Sequence, residues 1–371
     1  MSVCMAPVHT RLSQSFLSGV AAKITNPILG GFIHFYKAIG VLRVNNDPEK
    51  TVNQRGRVFW QEAIRRGVPM CSFLAFGRPV DLYMIELKGK KIYFNGLPRP
   101  IHTPNNSEWW MDDKFTLKQV LQKAGVPVAC GGVFSSYEPL LQQFLKLDKP
   151  VIIKPRLGSR GRHTTTFIYT ELDLKKAFVS AKQLCHWVIL EEHLIGSVYR
   201  ATMIGGKLAG VLAGDPPRVT GDGVSTIGQL IVKKNNHKPK GVKDVVITPQ
   251  HITFLARQEY TLDTVLSEQK TIDLLEKIGV SYGGSSGEVT EITHPEIKNI
   301  LEKAAAAVGD PLIGFDFIIK DITIDPYQQK WGVIECNGLP FINLHYDPIE
   351  GKTNNVAQPL WDYIEQHSAA Y

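Results

Sequence analysis

The stretches Gly314–Ile319 (GFDFII) and Trp331–Asn337 (WGVIECN) are two apolar runs, each interrupted by a carboxylate. We predict two strands that form one hairpin across a polar turn. An isolated buried charge is costly, so Asp316 either lies on an exposed face or binds something. Glu335 and Asn337 are two residues apart, so both face the same side of their strand. Because Mg²⁺ takes such oxygens as ligands, the hairpin indicates either a magnesium site or a solvated strand edge.

A second feature is the basic loop Lys154–Arg162 (KPRLGSRGR), which follows a short strand predicted at Val151–Lys154. Its glycines let backbone N–H groups approach an anion, and its cations would neutralise that anion. The loop has no GxxxxGK[ST] string, so it is not a Walker A loop. By itself it fits a solvated basic turn as well as a phosphate site.

A third feature is an acidic strand end. The strand predicted at Trp187–Leu190 runs into Glu191 and Glu192, followed by His193 and Leu194. Apolar side chains there could hold a purine while a carboxylate binds the ribose hydroxyls. The alternative is an acidic strand end in water.

Composition defines the broad class. The 371 residues are 43% hydrophobic and 21% charged, which excludes disordered, collagen-like and coiled-coil chains and predicts two or three packed units. The net charge of +7 suits an anionic small molecule and is too diffuse to indicate nucleic acid. Five scattered cysteines favour a reducing compartment. The charge-free segment Ile24–Ile33 is too short for a membrane span, so we expect a cytoplasmic protein.

The chain divides near residue 108, where several prolines precede Asn105-Asn106-Ser107. Before that point we predict a helix, a strand and a hairpin: Phe59–Arg66, Pro69–Phe76, and Leu82–Leu87 with Lys91–Phe94. After it we predict five helices and two further strands: Asp113–Ala124, Leu172–Leu184, Ile227–Lys234, Leu266–Ile278 and Pro295–Val308, with Tyr199–Ile204 and Leu208–Leu212. Prominent antiparallel hairpins favour an α+β (mixed α/β) fold over a TIM barrel.

In this order the segments resemble an ATP-grasp ligase, most closely the ATP-grasp portion of cyanophycin synthetase. Glutathione-synthetase-like and RimK-like ligases are more distant. The most specific string is Val219–Ile227 (VTGDGVSTI), which is typical of the cyanophycin-synthetase branch. Other matching strings are MDDK at 111–114, AGVP at 124–127, EEHLIGSVYR at 191–200, GGSSGEVT at 283–290 and the hairpin quoted above. The resemblance covers roughly residues 108–371.

The resemblance implies the ATP-grasp fold, in which two α+β subdomains grip ATP. It implies a small (lid) subdomain over residues 108–190 and a large subdomain with the metal site over residues 191–371. Residues 1–107 resemble no family that we can name. We expect them to form a domain for substrate recognition or dimerisation.

The resemblance also implies roles for individual residues. Lys114 and Lys154 would contact the α and β phosphates of ATP, and the loop containing Gly158, Ser159 and Gly161 would close over the phosphates. Glu191, Glu192 and Leu194 would hold adenine and ribose. Asp316, Glu335 and Asn337 would bind two Mg²⁺ ions, or Mn²⁺ as a substitute, with Glu335 bridging. The expected catalytic residues are Arg200 and Lys154, and the expected contacts to the acceptor carboxylate are Arg218, Ser285 and Ser286. For Arg218 a surface arginine is an equal alternative.

The implied activity joins the carboxylate of an amino acid or small peptide to an amine through an acylphosphate, in biosynthesis of a peptide-like metabolite. An ATP-grasp phosphotransferase and a non-catalytic nucleotide-binding module are the alternatives. The Mur-ligase-like domain of cyanophycin synthetase does not follow here, so we expect one ligation per active site. The motif before Gly283 is shortened, so substrate identity does not transfer. We expect small-molecule partners, no nucleic acid and no membrane, with monomer or homodimer left open.

Overall fold

The computed structural model describes residues 26–101, 103, 105–158 and 161–371, so Ile24 and Ser159 lie outside the described residues. The chain forms two compact units. Among the described residues, the first unit contains those from Asn26 to Thr103 together with Phe341–Asn343 and Asn355–Tyr371, and the second contains those from Asn105 to Pro340 together with Leu344–Asn354. Within the described ranges, no helix combines the length and the apolar character required to cross a membrane.

The described helices are, in chain order, α1 Asn26–Ala38, α2 Gln54–Arg65, α3 Lys114–Lys123, α4 Tyr137–Lys146, α5 Glu171–Lys182, α6 Ile227–Asn236, α7 Pro249–Arg257, α8 Pro295–Val308 and α9 Ala357–Gln366. The described strands are β1 Leu42–Asn45, β2 Met70–Ala75, β3 Arg78–Leu87, β4 Lys90–Asn95, β5 Gly131–Phe134, β6 Val151–Pro155, β7 Thr165–Ile168, β8 Val188–Glu192, β9 Ser197–Ile204, β10 Lys207–Asp215, β11 Arg218–Thr220, β12 Thr271–Asp273, β13 Ser285–Glu288, β14 Leu312–Ile319 and β15 Gly332–Asn337.

The first unit is an antiparallel sheet of order β1-β2-β3-β4 with packed helices. The predicted hairpin is present, because Lys88 and Gly89 both adopt left-handed φ values, 49° and 77°, as a two-residue primed turn requires. Helix α9 joins this unit, since Trp361 stacks on Phe59 with ring centroids 4.5 Å apart and donates its Nε1–H to the Phe59 carbonyl. Residues 355–371 therefore pack with the first unit, whereas we expected them in the large subdomain.

The second unit contains two larger antiparallel sheets. The four-stranded sheet, of order β5-β8-β6-β7, packs against α4 and α5. The five-stranded sheet, of order β13-β10-β9-β14-β15, packs against α3 and α8. Helix α3 was expected in the lid subdomain. It lies instead in the core of the five-stranded sheet, because Leu117 and Leu121 are buried with Phe315 and Phe317.

The predicted helix Leu266–Ile278 is wrong. Thr271–Asp273 forms β12, which pairs antiparallel with β11, and the surrounding residues are irregular. Leu266, Ile272 and Leu274 are buried in a small core with residues from α6 and α7. Pairing with a strand some fifty residues earlier overrides the local helical pattern, since tertiary contacts routinely outweigh propensity.

The five-stranded sheet has one apolar and one polar face. Tyr199, Ala201 and Met203 of β9 point into the core, so Arg200 and Thr202 point to the opposite face. Likewise Phe315 and Phe317 of β14 enter the core and leave Asp316 on the opposite face. This alternation places the predicted charged residues together on the polar face.

Candidate active site

The strand register gathers three predicted site residues. Arg200 on β9 lies opposite Asp316 on β14, and Asp316 lies opposite Glu335 on β15. Side chains directly opposite one another share a face of the sheet. The Arg200 guanidinium binds both oxygens of Asp316, with Nε–Oδ1 2.7 Å and Nη2–Oδ2 2.8 Å. The Asn337 amide nitrogen lies 3.5 Å from Asp316 Oδ2. The three proposed metal ligands are thus adjacent.

The electrostatics of this group fit a divalent cation. Burial raises the pKa of Glu335; the Lys114 ammonium, 3.8 Å from Glu335 Oε1, opposes that shift, and the Asp316 carboxylate reinforces it. Two crowded carboxylates favour a cation between them. No cluster of three or more His, Cys, Asp or Glu side chains suited to a metal occurs within the described residues. A site of two carboxylates and one amide, with water and phosphate as further ligands, has the donor set of Mg²⁺.

Lys114 is positioned by the start of helix α3. The N-cap residue Asp113 accepts hydrogen bonds from the backbone N–H groups of Phe115 and Thr116. Its carboxylate also binds Arg156, with Nε–Oδ1 2.8 Å, which ties the helix to the start of the basic loop. Lys114 Nζ donates to the Gly158 carbonyl at 2.5 Å. The start of helix α3 and the basic loop are therefore held together, in part by the ion pair of Arg156 with Asp113.

The basic loop needs glycine at two predicted positions. Gly158 has a φ of 125° and Gly161 a φ of 62°, both in the region that side chains disfavour. Ser159 lies between them, outside the described residues, so its predicted phosphate contact stays a prediction. Arg162, the last arginine of the loop, lies beyond Gly161.

Lys154 belongs to a buried ion triad. Its ammonium pairs with one oxygen of Glu191, and the ammonium of Lys118 pairs with the other. Burial would raise the pKa of Glu191, but the charges of Lys154 and Lys118 outweigh it and hold that pKa below its ordinary value. We predicted that Glu191 holds adenine or ribose, yet its carboxylate is turned toward the two lysines. The pattern on α3 could have revealed Lys118, because it lies among Leu117 and Leu121 on the buried face, one turn after Lys114.

The rest of the acidic strand end is also engaged. Glu192 accepts a hydrogen bond from the Cys130 backbone N–H at 2.9 Å and pairs with Lys330. His193 packs on the Phe167 ring with centroids 4.3 Å apart, and desolvation lowers its pKa to about 4. Leu194 is buried. The strand end is therefore packed within the second unit and is not a solvated terminus.

The three predicted acceptor contacts are not equivalent. Arg218 forms an ion pair with Asp215 at 2.7 Å and donates hydrogen bonds to Asp273 at 2.5 Å and to Ser197 at 3.0 Å, so its guanidinium joins β11 to its neighbours. The register aligns Arg200, Leu212 and Glu288 in one row. Ser286 lies two residues before Glu288 and shares the polar face, whereas Ser285 points to the other side.

Comparisons with known proteins identify relatives of this chain. No family model matches the chain. The chain is 32% identical over 262 residues to a cyanophycin synthetase of Synechocystis sp., covering 68% of this chain and 30% of that protein. It is 30% identical over 258 residues to the glutathione biosynthesis bifunctional protein GshAB of Mannheimia succiniciproducens, covering 66% and 34%. The chain thus spans about a third of the length of these curated relatives.

A solved structure shows the fold. The bifunctional glutathione synthetase from Pasteurella multocida superposes with a TM-score of 0.54 at 24% identity, over 84% of this chain and 43% of that one. The chain belongs to the ATP-grasp ligase family. The predicted ATP-grasp fold of α+β type is confirmed.

This ATP-grasp chain also has a buried network that the sequence reasoning missed. The His345 side chain is fully buried. Its ring nitrogens form hydrogen bonds with Thr202 Oγ1 (2.9 Å) and Glu288 Oε2 (2.5 Å). Glu288 further accepts a hydrogen bond from Thr290. The network lies on the polar face beside Arg200, and it fixes β13 and the segment after β15 to β9. No short motif signals it, because Thr202, Glu288 and His345 are far apart in sequence.

Proposed function

We propose that this chain is an ATP-dependent ligase that joins the carboxylate of an amino acid or small peptide to an amine through an acylphosphate, releasing ADP and phosphate. The observation that carries the proposal is that Arg200, Asp316 and Glu335 share one polar face of the sheet and that the Lys114 ammonium approaches Glu335. The names of the two curated relatives, which denote cyanophycin synthesis and glutathione biosynthesis, support a peptide-like product.

The cationic side chains bind and orient ATP in this proposal. Lys114 and Lys154 contact the phosphates, and the loop at Gly158–Gly161 closes over them. In the structure Lys114 already contacts the Gly158 carbonyl, so loop and lysine are within reach of a common ligand. Closure excludes water that would hydrolyse an acylphosphate. Adenine and ribose would lie against Glu192 and Leu194, with apolar contacts from Leu194.

Asp316, Glu335 and Asn337 would hold two Mg²⁺ ions. Bound Mg²⁺ would neutralise charge on the transferring phosphoryl group. Arg200, fixed by Asp316, is placed to stabilise that same group and the tetrahedral intermediate that the amine forms. Ser286 shares the face and would contact the acceptor, with Ser285 and Arg218 as further candidates. We also propose a cytoplasmic protein with small-molecule partners, as a monomer or a homodimer.

The test is ADP release with Mg²⁺ and ATP across pools of amino acids and small acidic peptides. We expect ADP that requires both an acid and an amine, together with an amide product. Glu335→Ala should abolish the release, whereas Glu268→Ala, at an exposed glutamate, should not. ADP with one substrate and no amide would support the phosphotransferase alternative. ATP binding with no ADP from any pool would support the nucleotide-binding module.

A further inference from the structure

The buried ion triad draws on three separate elements of the second unit. Glu191 comes from β8, Lys154 from β6 and Lys118 from α3, and the Glu191 side chain is only 3% exposed. The two lysine side chains are also largely buried, at 10% and 9% exposure for Lys118 and Lys154. Each oxygen of the Glu191 carboxylate pairs with one ammonium group. A single monovalent carboxylate thus binds two cations, one at each oxygen.

The triad carries an uncompensated positive charge. Two ammonium groups and one carboxylate sum to a net charge of +1 in a site shielded from water, where charges interact more strongly than in solvent. Without Lys118, the carboxylate and Lys154 would form a neutral pair. Both oxygens of Glu191 would then compete for the Lys154 ammonium, which would be held more firmly in its present position.

The triad lies within electrostatic reach of the proposed phosphate site. Lys114 is one helical turn before Lys118 on α3, a spacing that places the two side chains on neighbouring parts of one face. Lys114 in turn donates a hydrogen bond to the Gly158 carbonyl in the basic loop. The triad therefore lies close to a residue that contacts the loop.

We propose that Lys118 is a positioning residue for nucleotide binding: by occupying one oxygen of Glu191, it keeps the buried site net positive and leaves Lys154 able to bind a phosphate. Lys118 does not touch the nucleotide in this account. The inference rests on the proposed function, because it needs a polyphosphate ligand beside Lys154.

The test measures the dissociation constant of ATP with Mg²⁺ directly, by calorimetry, so that no turnover is required. Lys118→Met keeps most of the side-chain volume and removes the charge. We expect it to weaken ATP binding about tenfold. The double variant Lys118→Met/Glu191→Gln also removes the negative charge, so the net charge of the cluster returns to +1, carried by Lys154 alone. We expect its affinity for ATP to lie within about threefold of that of the unmodified protein. Lys123→Met, at an exposed lysine of the same helix, is the matched control and should bind ATP normally.

Recovery of ATP affinity in the double variant distinguishes a role in charge balance from a purely structural role. If Lys118 only supported the structure, a second substitution in the buried cluster would weaken ATP binding further. Unchanged affinity in Lys118→Met, or a double variant no better than the single one, overturns the inference and leaves the proposed function standing. If the unmodified protein does not bind ATP, both fall. Should Lys118→Met not fold, the double variant decides alone, and a tenfold loss of its affinity overturns the inference.

Discussion

Arg200 and Asp316 form a two-point ion pair across adjacent strands of the five-stranded sheet, with N–O distances of 2.7 and 2.8 Å. Burial lowers the pKa of Arg200, but the hydrogen bond and charge of Asp316 raise it overall, so the guanidinium stays charged. The pair aligns a cation beside Glu335 before any ligand binds. Preorganised charge of this kind costs no rearrangement during the reaction.

Arg200→Lys keeps the positive charge but cannot form two parallel N–H···O bonds to one carboxylate. We expect the rate of ADP release to fall about 100-fold, because transition-state stabilisation depends on placement of the charge. The dissociation constant of ATP should change by less than about fivefold, since the lysines bind the phosphates. Steady-state kinetics and calorimetry would check this. Arg57→Lys, in a surface pair with Glu49, is the control, and equal losses in binding and turnover would contradict the assignment.

Substitution of the loop glycines should affect ATP binding to different degrees. Alanine at Gly161 meets no atom within 4 Å, so the cost is the left-handed φ alone, about 1 kcal/mol. Gly158 has a φ of 125°, and alanine there would place its Cβ 2.9 Å from Leu184 Cδ2. The conformational cost of Gly158→Ala is therefore larger than that of Gly161→Ala. We expect the KM for ATP to rise severalfold in Gly161→Ala and more in Gly158→Ala. Gly206→Ala, in the turn after β9, has a similar φ of 78° and should leave this KM unchanged.

His193 should make the protein less stable in mild acid. Its pKa is lowered by desolvation from 6.5 to about 4, so the unfolded chain takes up a proton at a higher pH than the folded one. The stability contribution is complete above pH 6.5 and is lost as the pH falls toward 4, a total of about 3 kcal/mol. His193→Phe removes this titration and should flatten the fall of Tm between pH 7 and pH 4. Identical pH profiles for both proteins would show that His193 does not titrate in this way.

Replacement of Arg218 distinguishes a structural role from contact with the acceptor. Its ion pairs with Asp215 and Asp273 predict that Arg218→Met lowers the free energy of unfolding by about 2 kcal/mol, because it leaves two partly buried carboxylates without their cation. The KM for the acceptor should stay near that of the unmodified protein. An unchanged Tm together with a much higher acceptor KM would instead support direct contact with substrate.

Most regular elements could be predicted because their signals are local. The helix at Pro295–Val308 begins at a proline and ends at Gly309 with a φ of 79°, and the Lys88-Gly89 turn carries its own signature. The segment Leu266–Ile278 failed because its apolar residues serve a core completed by distant strands and helices. Helix α9 likewise has no local signal that assigns it to the first unit.

The site was partly predictable for a similar reason. Asp316, Glu335 and Asn337 stand out because each is a polar residue within an apolar strand. The partner of each charge cannot be deduced from spacing. Glu191 is 37 positions from Lys154 and 73 from Lys118, and only the fold brings the three together. Arg218 looked available because Asp273, which binds it, lay in the segment predicted as helix.

The stacking of Trp361 on Phe59 has a consequence for synthesis on the ribosome. Strands β1–β4 are translated before the second unit, whereas α9, which covers Phe59, is translated only after it. While the more than two hundred intervening residues are translated, the aromatic surface around Phe59 lacks this cover and is accessible to a chaperone or a neighbouring nascent chain. Native burial of that surface is therefore completed only after α9 has been translated.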